Sequence, residues 1–400
     1  MGMPAPSDVP KIFIGACGIG LGHVGRMLPV AKILRERGWR VYFSTYGDAS
    51  NYSINEGFPT IRERELSYGS KSDGSLSLKE TFRVFPRVLL SFLSQVEREF
   101  SALRALKPNV VLSDSRLSTL IAARALGYPS ILVMHEFKML IPLQGDELPG
   151  IGFVKRFFER VALETFGLGW DLADRVLITD FPPPFTVCKP NVVLPEFLRH
   201  KATYVGMVSP EKLDISKDTA KKKFGFNEKT IVVYFGLSGL PWERKSMASK
   251  LFPLALETSK KGFGVIFSRG EPGGSSAPKR EGSVVVYDWI PDRRLAYAAA
   301  DVFVTVGGQT SVGEALRYGT PMIVIPTPNH TEHDSIGENI QAMGLGLKIN
   351  FRELESERFF KALEIVLSER FKKRALEAAK NASRYEAVRE IVRAIERFVE

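Results

Sequence analysis

Along the chain, short runs rich in Val, Ile and Phe alternate with longer stretches whose apolar residues recur every three or four positions. Runs that are apolar at nearly every position suit strands covered on both faces, as in parallel sheets flanked by helices. The pattern predicts strands at 11–16, 40–45, 109–113, 130–134 and 175–179, then, after a break, at 230–235, 262–268, 283–287, 301–305 and 321–325. Two successive α/β sheets are therefore expected. The Pro-rich stretch 181–184 and the segment of mixed polarity 196–217 lie between them and place a boundary near residue 205, since such composition suits a link between domains. The expected division is 1–204, 205–380 and a terminal helical segment 381–400. The last 50 residues read as three charged amphipathic helices, the final one free to pack on either domain or to cross back to the first.

Two helical stretches depart from the usual soluble pattern. Residues 81–93, TFRVFPRVLLSFL, set Phe82, Phe85, Val88, Leu89, Phe92 and Leu93 among Arg83 and Arg87, and 153–166 repeats the mixture with Lys155, Arg156 and Arg160. Packing in a core and a basic amphipathic surface resting on anionic lipid both fit this pattern.

Composition narrows the class. A chain of 400 residues, 44% hydrophobic and 25% charged, is globular and too long for one small core,. The longest stretches free of Lys, Arg, Asp and Glu, 12–25 and 318–331, are shorter than the roughly 18 residues that span a bilayer,. The opening MGMPAPSDVPK lacks a basic segment followed by an apolar one, so export is not expected,. Two cysteines, Cys17 and Cys188, are too few for a disulfide framework and suit a reducing, cytoplasmic setting,. The net charge of +10 is spread over both halves, which raises encounter rates with anions in general,. No aromatic-rich recognition motif accompanies it, and no nucleic-acid partner is expected.

The chemistry concentrates in glycine-rich turns between strands and helices. GACGIGLGHVG, residues 15–25, follows the first strand and opens a helix expected to run to about residue 37. Glycines let the backbone approach a ligand closely, and a helix N-terminus offers unpaired N–H donors with a partial positive charge. Gly20, Gly22 and Gly25 meet the spacing of a dinucleotide fingerprint, but the second strand ends in Ser44-Thr45-Tyr46, with Asp48 slightly beyond the strand end where that fingerprint needs its acidic residue,. His23 lies inside this turn, where an imidazole could take a proton from an attacking hydroxyl or serve as a structural hydrogen-bonded side chain. Asp114 ends one strand and the pair His135-Glu136 ends the next, the edge at which α/β sheets collect ligands,. Asp114 could equally cap the following helix. In the second half, the turn FGLSG carries Ser238. Later, VGGQTSVGE presents Gly307, Gly308, Gln309, Thr310 and Ser311 at a helix start, with Glu314 one turn on. Main-chain donors and two hydroxyls there suit a diphosphate, and the carboxylate suits ribose hydroxyls.

GIGLGHVGRMLPVAKILRERG near the start resembles the opening of GT-B glycosyltransferases, especially the MurG and diacylglycerol-glucosyltransferase group. Asp288-Trp-Ile-Pro-Asp, GGQTSVGEALRYGTPMIVIP and ENIQAMGLG resemble the donor-binding signature of the wider UDP-glycosyltransferases. The likeness covers about residues 11–368. It implies the GT-B architecture, two Rossmann-like domains with parallel sheets facing across a cleft, the first binding the acceptor and the second the nucleotide-sugar. It further implies that Trp289 lies against the nucleotide base, Gly307 to Ser311 hold the diphosphate, Glu314 binds ribose and Ser238 approaches the phosphates. His23 matches the base of many members and Asp114 the acid that orients it. Gly22, His135 and Glu136 match the acceptor side. Two departures stand out. Val306 occupies the place of a phosphate-contacting His, and the pair that reads sugar hydroxyls is replaced by HTEHDSIGEN, leaving His333, Asp334 and Asn339 as candidates for the donor sugar. His330 and His333 lack a convincing third ligand for a metal, and no Asp-x-Asp occurs, so no metal and no cofactor is expected.

The implied reaction moves a sugar from a UDP-sugar to a hydroxyl acceptor, lipid or lipid-linked in the resembling group, by metal-independent inverting displacement. Two other readings share the same features: a nucleotide-sugar 2-epimerase, which needs no acceptor, and a nonenzymatic nucleotide-sugar-binding subunit. Contact with the cytoplasmic membrane surface is compatible with the two basic-apolar segments.

Overall fold

A computed structural model describes residues 9–66, 78–140 and 151–399. They form two compact units, one running through Val208 and resumed at Glu386, the other spanning Ser209–Tyr385.

The first unit follows a strand–helix alternation. It contains β1 (Lys11–Ala16), α1 (Gly22–Glu36), β2 (Arg40–Thr45), α2 (Asp48–Asn55), β3 (Thr60–Arg62), α3 (Leu78–Leu106), β4 (Val110–Asp114), α4 (Leu117–Leu126), β5 (Ser130–Met134), α5 (Ile151–Trp170), β6 (Arg175–Ile178) and β7 (Ala202–Tyr204). The seven strands are all parallel, in the order 3-2-1-4-5-6-7. Side chains alternate across the sheet. Ile12 and Ile14 enter one core with Val24, Met27 and Leu28 of α1, whereas Phe13 enters the opposite core with Leu103 of α3 and Ala122 of α4. Two glycines are dictated by packing. A Cβ on Gly15 would lie 2.0 Å from Thr119 Oγ1, and one on Gly18 would lie 2.3 Å from the Tyr46 carbonyl oxygen. The chain after β1 can therefore pass close to α4 and to the loop after β2.

The second unit repeats the scheme with α6 (Lys217–Lys223), β8 (Val232–Gly236), α7 (Pro241–Lys260), β9 (Gly264–Ser268), β10 (Lys279–Glu281), β11 (Val284–Tyr287), α8 (Arg293–Ala299), β12 (Val302–Thr305), α9 (Gln309–Tyr318), β13 (Met322–Val324), α10 (Thr331–Ala342), β14 (Gly346–Lys348), α11 (Ser356–Val366) and α12 (Glu369–Ala382). Its strand order is 10-11-9-8-12-13-14, parallel throughout except for the β10–β11 hairpin. The last helix, α13 (Ala387–Glu396), returns to the first unit, where Val388, Ile391, Val392 and Ile395 join the core behind α1.

Four strands had no sequence signal. β3, β7 and β14 are three-residue edge or near-edge strands, too short for periodicity, and β10 is a charged, fully exposed Lys-Arg-Glu. The segment 196–217, expected as a link, instead supplies a short 3-10 turn over Glu196–Lys201 and then β7. The two basic-apolar stretches also resolve. On α3, Phe85, Leu89, Leu90 and Leu93 are exposed, as are Phe153, Phe157 and Phe158 on α5. Core packing is therefore the wrong reading for these residues. The side chains of Thr81, Phe82 and Val154 lie outside the described residues.

Candidate active site

In a doubly wound sheet, ligands collect where the strand order reverses, because the loops there diverge to opposite faces and leave a crevice. The first unit reverses between β1 and β4, and the loops at that point carry His23 and Asp114. Leu21 precedes α1, Gly22 is its exposed first residue and His23 its second, partly open with a side chain 21% exposed. Asp114, fully buried, is the last residue of β4. It does not cap α4, whose N-cap is Arg116 without a side-chain bond. Its carboxylate instead crosses to α1, where Oδ1 lies 2.8 Å from His23 Nδ1.

A third side chain, which sequence reasoning missed, ties this cluster together. Arg26, 2% exposed, donates from Nε to Asp114 Oδ2 at 2.6 Å and from Nη2 to Oδ1. Its Nη1 lies 2.8 Å from Nδ1 of His135. The helical spacing of three from His23 was the available signal, since positions three apart share a helix face. Glu136, by contrast, turns away to accept a hydrogen bond from Asn191 Nδ2 at 3.1 Å. Of the expected acceptor-side residues, the structure thus joins His135 to the His23–Asp114 pair and ties Glu136 to the separate loop that carries Asn191.

Electrostatics follow from burial and pairing. Burial alone would raise the Asp114 carboxyl, but Arg26 and His23 outweigh it and hold the group well below the usual carboxylate range. Burial would lower His23, yet Asp114 and then Cys17 carry it from 6.5 up to about 10. Cys17 sits in the same turn, 3.3 Å from the Tyr46 hydroxyl. Burial raises its thiol, and the charge and hydrogen bond of His23 more than compensate, bringing it from 9.0 to about 7. Sequence reading had used Cys17 only as an indicator of redox setting.

The second unit reverses between β8 and β12. After β8 comes the turn with Ser238, braced where Arg244 Nη1 donates to the Gly239 carbonyl at 2.7 Å. After β12 come Gly307 and Gly308, the latter the N-cap of α9. Gly307 has φ +95°, a conformation that favours glycine,. A Cβ on Gly308 would lie 3.3 Å from Ser238 Oγ, so the two turns meet. Thr310 and Ser311 are partly exposed in the first turn of α9, while Gln309 is buried. Val306 is fully buried and contributes no side chain to this turn. Trp289, partly exposed, lies two residues after β11, its main-chain N–H donating to the Ser275 carbonyl at 3.2 Å.

Three expectations need adjustment. Glu314 is only 2% exposed, and its Oε1 is bound by Arg293 Nε at 2.9 Å and Nη2 at 2.6 Å. Arg293, at the start of α8, is the neighbour the sequence did not reveal, and it leaves the buried Oε2 of Glu314 without a hydrogen-bond partner among the described residues. His333 is buried, with Nδ1 3.2 Å from Thr327 Oγ1 and its ring stacked 3.6 Å from that of His330. Burial followed by the His330 charge pushes it well below the ordinary histidine value, so it is neutral. Asp334 pairs with Lys348 at 2.6 Å, and Asn339 is partly exposed further along α10. The three donor-sugar candidates therefore do not share one helix face: a 100° turn per residue separates His333 from Asp334.

Two Rossmann-like units, each with its glycine turns at the switch point, constitute the GT-B architecture. Residues 229–383, nearly all of the second unit, match the family model for UDP-glucoronosyl and UDP-glucosyl transferase. The chain is 26% identical over 359 residues to an uncharacterized glycosyltransferase of Methanosarcina acetivorans, covering 85% of this chain and 86% of that one. It is 29% identical over 195 residues to the UDP-N-acetylglucosamine--N-acetylmuramyl-(pentapeptide) pyrophosphoryl-undecaprenol N-acetylglucosamine transferase of Acetivibrio thermocellus, covering 46% of this chain and 51% of that one. Among solved structures, Acinetobacter baumannii MurG superposes with a TM-score of 0.59 at 16% identity, covering 97% and 99% of the two chains, a likeness of fold.

Proposed function

We propose that this chain is a glycosyltransferase that moves a hexosyl group from a UDP-sugar to a hydroxyl of a lipid or lipid-linked acceptor, with inversion and without a metal. The observation that carries this reading is the facing pair of glycine turns at the β8–β12 switch point, inside the segment that matches the UDP-glucoronosyl and UDP-glucosyl transferase model. Main-chain N–H groups at the start of α9, with Ser238, Thr310 and Ser311, would take the diphosphate and stabilise the charge it gains on departure. Trp289 would lie against the base. Ribose binding at Glu314 would require its ion pair with Arg293 to rearrange or Arg293 to take part. His333, Asp334 and Asn339 would set the surroundings of the sugar.

His23 would take the acceptor proton at Nε2, held by Asp114 through Nδ1, while the oxygen attacks the anomeric carbon and the carbon–diphosphate bond breaks. Its high proton affinity favours removal of a hydroxyl proton but leaves only a small neutral fraction at neutral pH. The matched family and the relatives named above are transferases, which supports transfer over epimerisation.

The exposed phenylalanines and leucines of α3 and α5, beside Arg83, Arg87, Arg156 and Arg160, support contact with an anionic membrane surface on the cytoplasmic side,. No helix among the described residues is long and apolar enough to cross a membrane.

A panel of UDP-sugars read by thermal stabilisation tests the donor, since a ligand at one hundred times its Kd stabilises by about 2.7 kcal/mol. UDP release is then measured with vesicles containing diacylglycerol or a polyprenyl phosphate-linked sugar. Stabilisation by one donor and acceptor-dependent UDP release are expected; no stabilisation by any UDP-sugar would refute the reading.

A further inference from the structure

We propose that Arg26 is a positioning residue that fixes two imidazoles in opposite protonation patterns: His23 keeps a proton on Nδ1 and exchanges the other at Nε2, whereas His135 keeps Nδ1 bare and carries its proton on Nε2. The functional consequence rests on the reading of His23 as base; the structural part rests on donor and acceptor chemistry alone.

A guanidinium has five N–H donors and no acceptor. Two of the Arg26 nitrogens grip the Asp114 carboxylate as a fork, Nε to Oδ2 at 2.6 Å and Nη2 to Oδ1, the geometry in which arginine and carboxylate bind most strongly. The remaining nitrogen, Nη1, stands 2.8 Å from His135 Nδ1. Because Nη1 can only donate, that contact exists only when Nδ1 offers a lone pair, which places the hydrogen of His135 on Nε2,. On the other side, His23 Nδ1 lies 2.8 Å from Asp114 Oδ1. A carboxylate only accepts, so this Nδ1 carries hydrogen, and the nitrogen left to gain and lose a proton is Nε2.

Arg26 also sets how strongly His23 holds that proton. Its Nη2 also lies 3.2 Å from His23 Nδ1; with the hydrogen of that nitrogen given to Asp114 at the shorter 2.8 Å, this longer approach is no hydrogen bond, and a fixed cation opposes the imidazolium that Asp114 favours. The other groups facing His23 are Cys17 from the turn after β1, backed by Tyr46 from the loop after β2, and Ser115 through its bond to Asp114 Oδ1. His135 faces Arg26, the buried carboxylate of Asp180 after β6 and the buried thiol of Cys188, whose sulfur lies within 4.8 Å of one of its ring nitrogens. Without Arg26, Asp114 acts on His23 unopposed and the base holds its proton more tightly. His135 loses the donor that forbids its Nδ1 tautomer.

The test is long-range 1H–15N spectroscopy of the imidazoles in the full-length 15N-labelled chain. Its five histidines are assigned with His23→Gln and His135→Gln. In the unsubstituted protein, His135 is expected with a bare Nδ1 and its hydrogen on Nε2, and His23 protonated on Nδ1 throughout, with Nε2 losing its proton as the pH is raised. A protonated Nδ1 on His135, or loss of the Nδ1 proton from His23, overturns the proposal. Arg26→Gln is expected to raise the His23 midpoint by about one pH unit and to let the hydrogen of His135 move to Nδ1; an unchanged midpoint together with an unchanged His135 tautomer also overturns it. Arg26→Lys, which keeps the cation without the fork, is expected to hold the His23 midpoint closer to its original value while His135 loses its fixed tautomer. Should the Gln variant not fold, the spectra of the unsubstituted protein decide alone. None of these readouts depends on turnover, so absence of UDP release with the expected spectra refutes the transferase reading and leaves this one standing.

Discussion

Asp114→Asn is nearly isosteric, so it removes a charge while keeping the shape of the site, and its cost follows from what remains. Arg26, 2% exposed, keeps its positive charge with no carboxylate to neutralise it. Removing one partner of a buried ion pair costs about 3–5 kcal/mol, because the other charge stays desolvated. That is a large share of the roughly 5–15 kcal/mol that holds a typical protein folded. His23 adds a dependence on pH. Its folded value, about 10, lies above the unfolded 6.5, so its contribution is complete below pH 6.5 and is lost as the pH rises toward 10. Asp114 moves in the opposite sense, and its contribution is lost only in strong acid. The penalty of Asp114→Asn should therefore be greatest near pH 6 and shrink toward pH 10. A Cys17→Ser background removes the thiol that titrates in the same window. The assay is urea unfolding followed by fluorescence of Trp39 and Trp170, the tryptophans of the first unit, with Trp242 and Trp289 replaced by Phe. Adding Arg26→Met should leave the double variant about 2 kcal/mol less destabilised than the sum of the single changes. A penalty below about 1 kcal/mol, or strict additivity, would refute the reasoning.

Four further outcomes follow from the same structure. With donor and acceptor supplied, the rate should climb roughly tenfold per pH unit between neutrality and pH 9, because neutral His23 is the active form; a rate independent of pH there contradicts its role as base. His23→Gln should lower transfer by about 10²–10⁴ while UDP-dependent thermal stabilisation is unchanged. Iodoacetamide should alkylate Cys17 with a midpoint near pH 7, moving to higher pH in His23→Gln, as mass spectrometry of the tryptic 12–26 peptide would show. Burial, then Glu99, raises Glu63 from 4.5 to about 7. The folded state therefore loses stability as the pH rises between these values, and Glu63→Gln should be more stable than the parent at pH 8 but not at pH 5 by urea midpoint.

Both sheets were legible because ten strands consist of nearly continuous apolar runs, a pattern that only double burial requires. The missing ones, such as β10 with its three charged residues, are held by backbone pairing to a neighbour and leave no trace in side-chain type. The same contrast applies to the candidate site. Glycine turns and a polar residue at a strand end announce themselves locally, so His23, Asp114, Ser238 and Gly307–Ser311 could be singled out. Arg26 had only its spacing of three from His23 to mark it and Arg293 had no such mark, since an arginine is ordinarily a solvated surface residue. Only the fold brings one to a carboxylate 88 positions away and the other to one 21 positions away. The exposed face of α3 went the other way: its apolar spacing fits a core, and only tertiary placement shows that Phe85 and Leu93 have none to enter.

Crystals of the chain grown with UDP test the central claim most directly. The account predicts the diphosphate seated at the start of α9, its oxygens within hydrogen-bond distance of the main-chain nitrogens of Gln309 to Ser311 and of Ser238 Oγ, with uracil against Trp289. A diphosphate bound elsewhere, or bound by side chains with those nitrogens left to water, would contradict it.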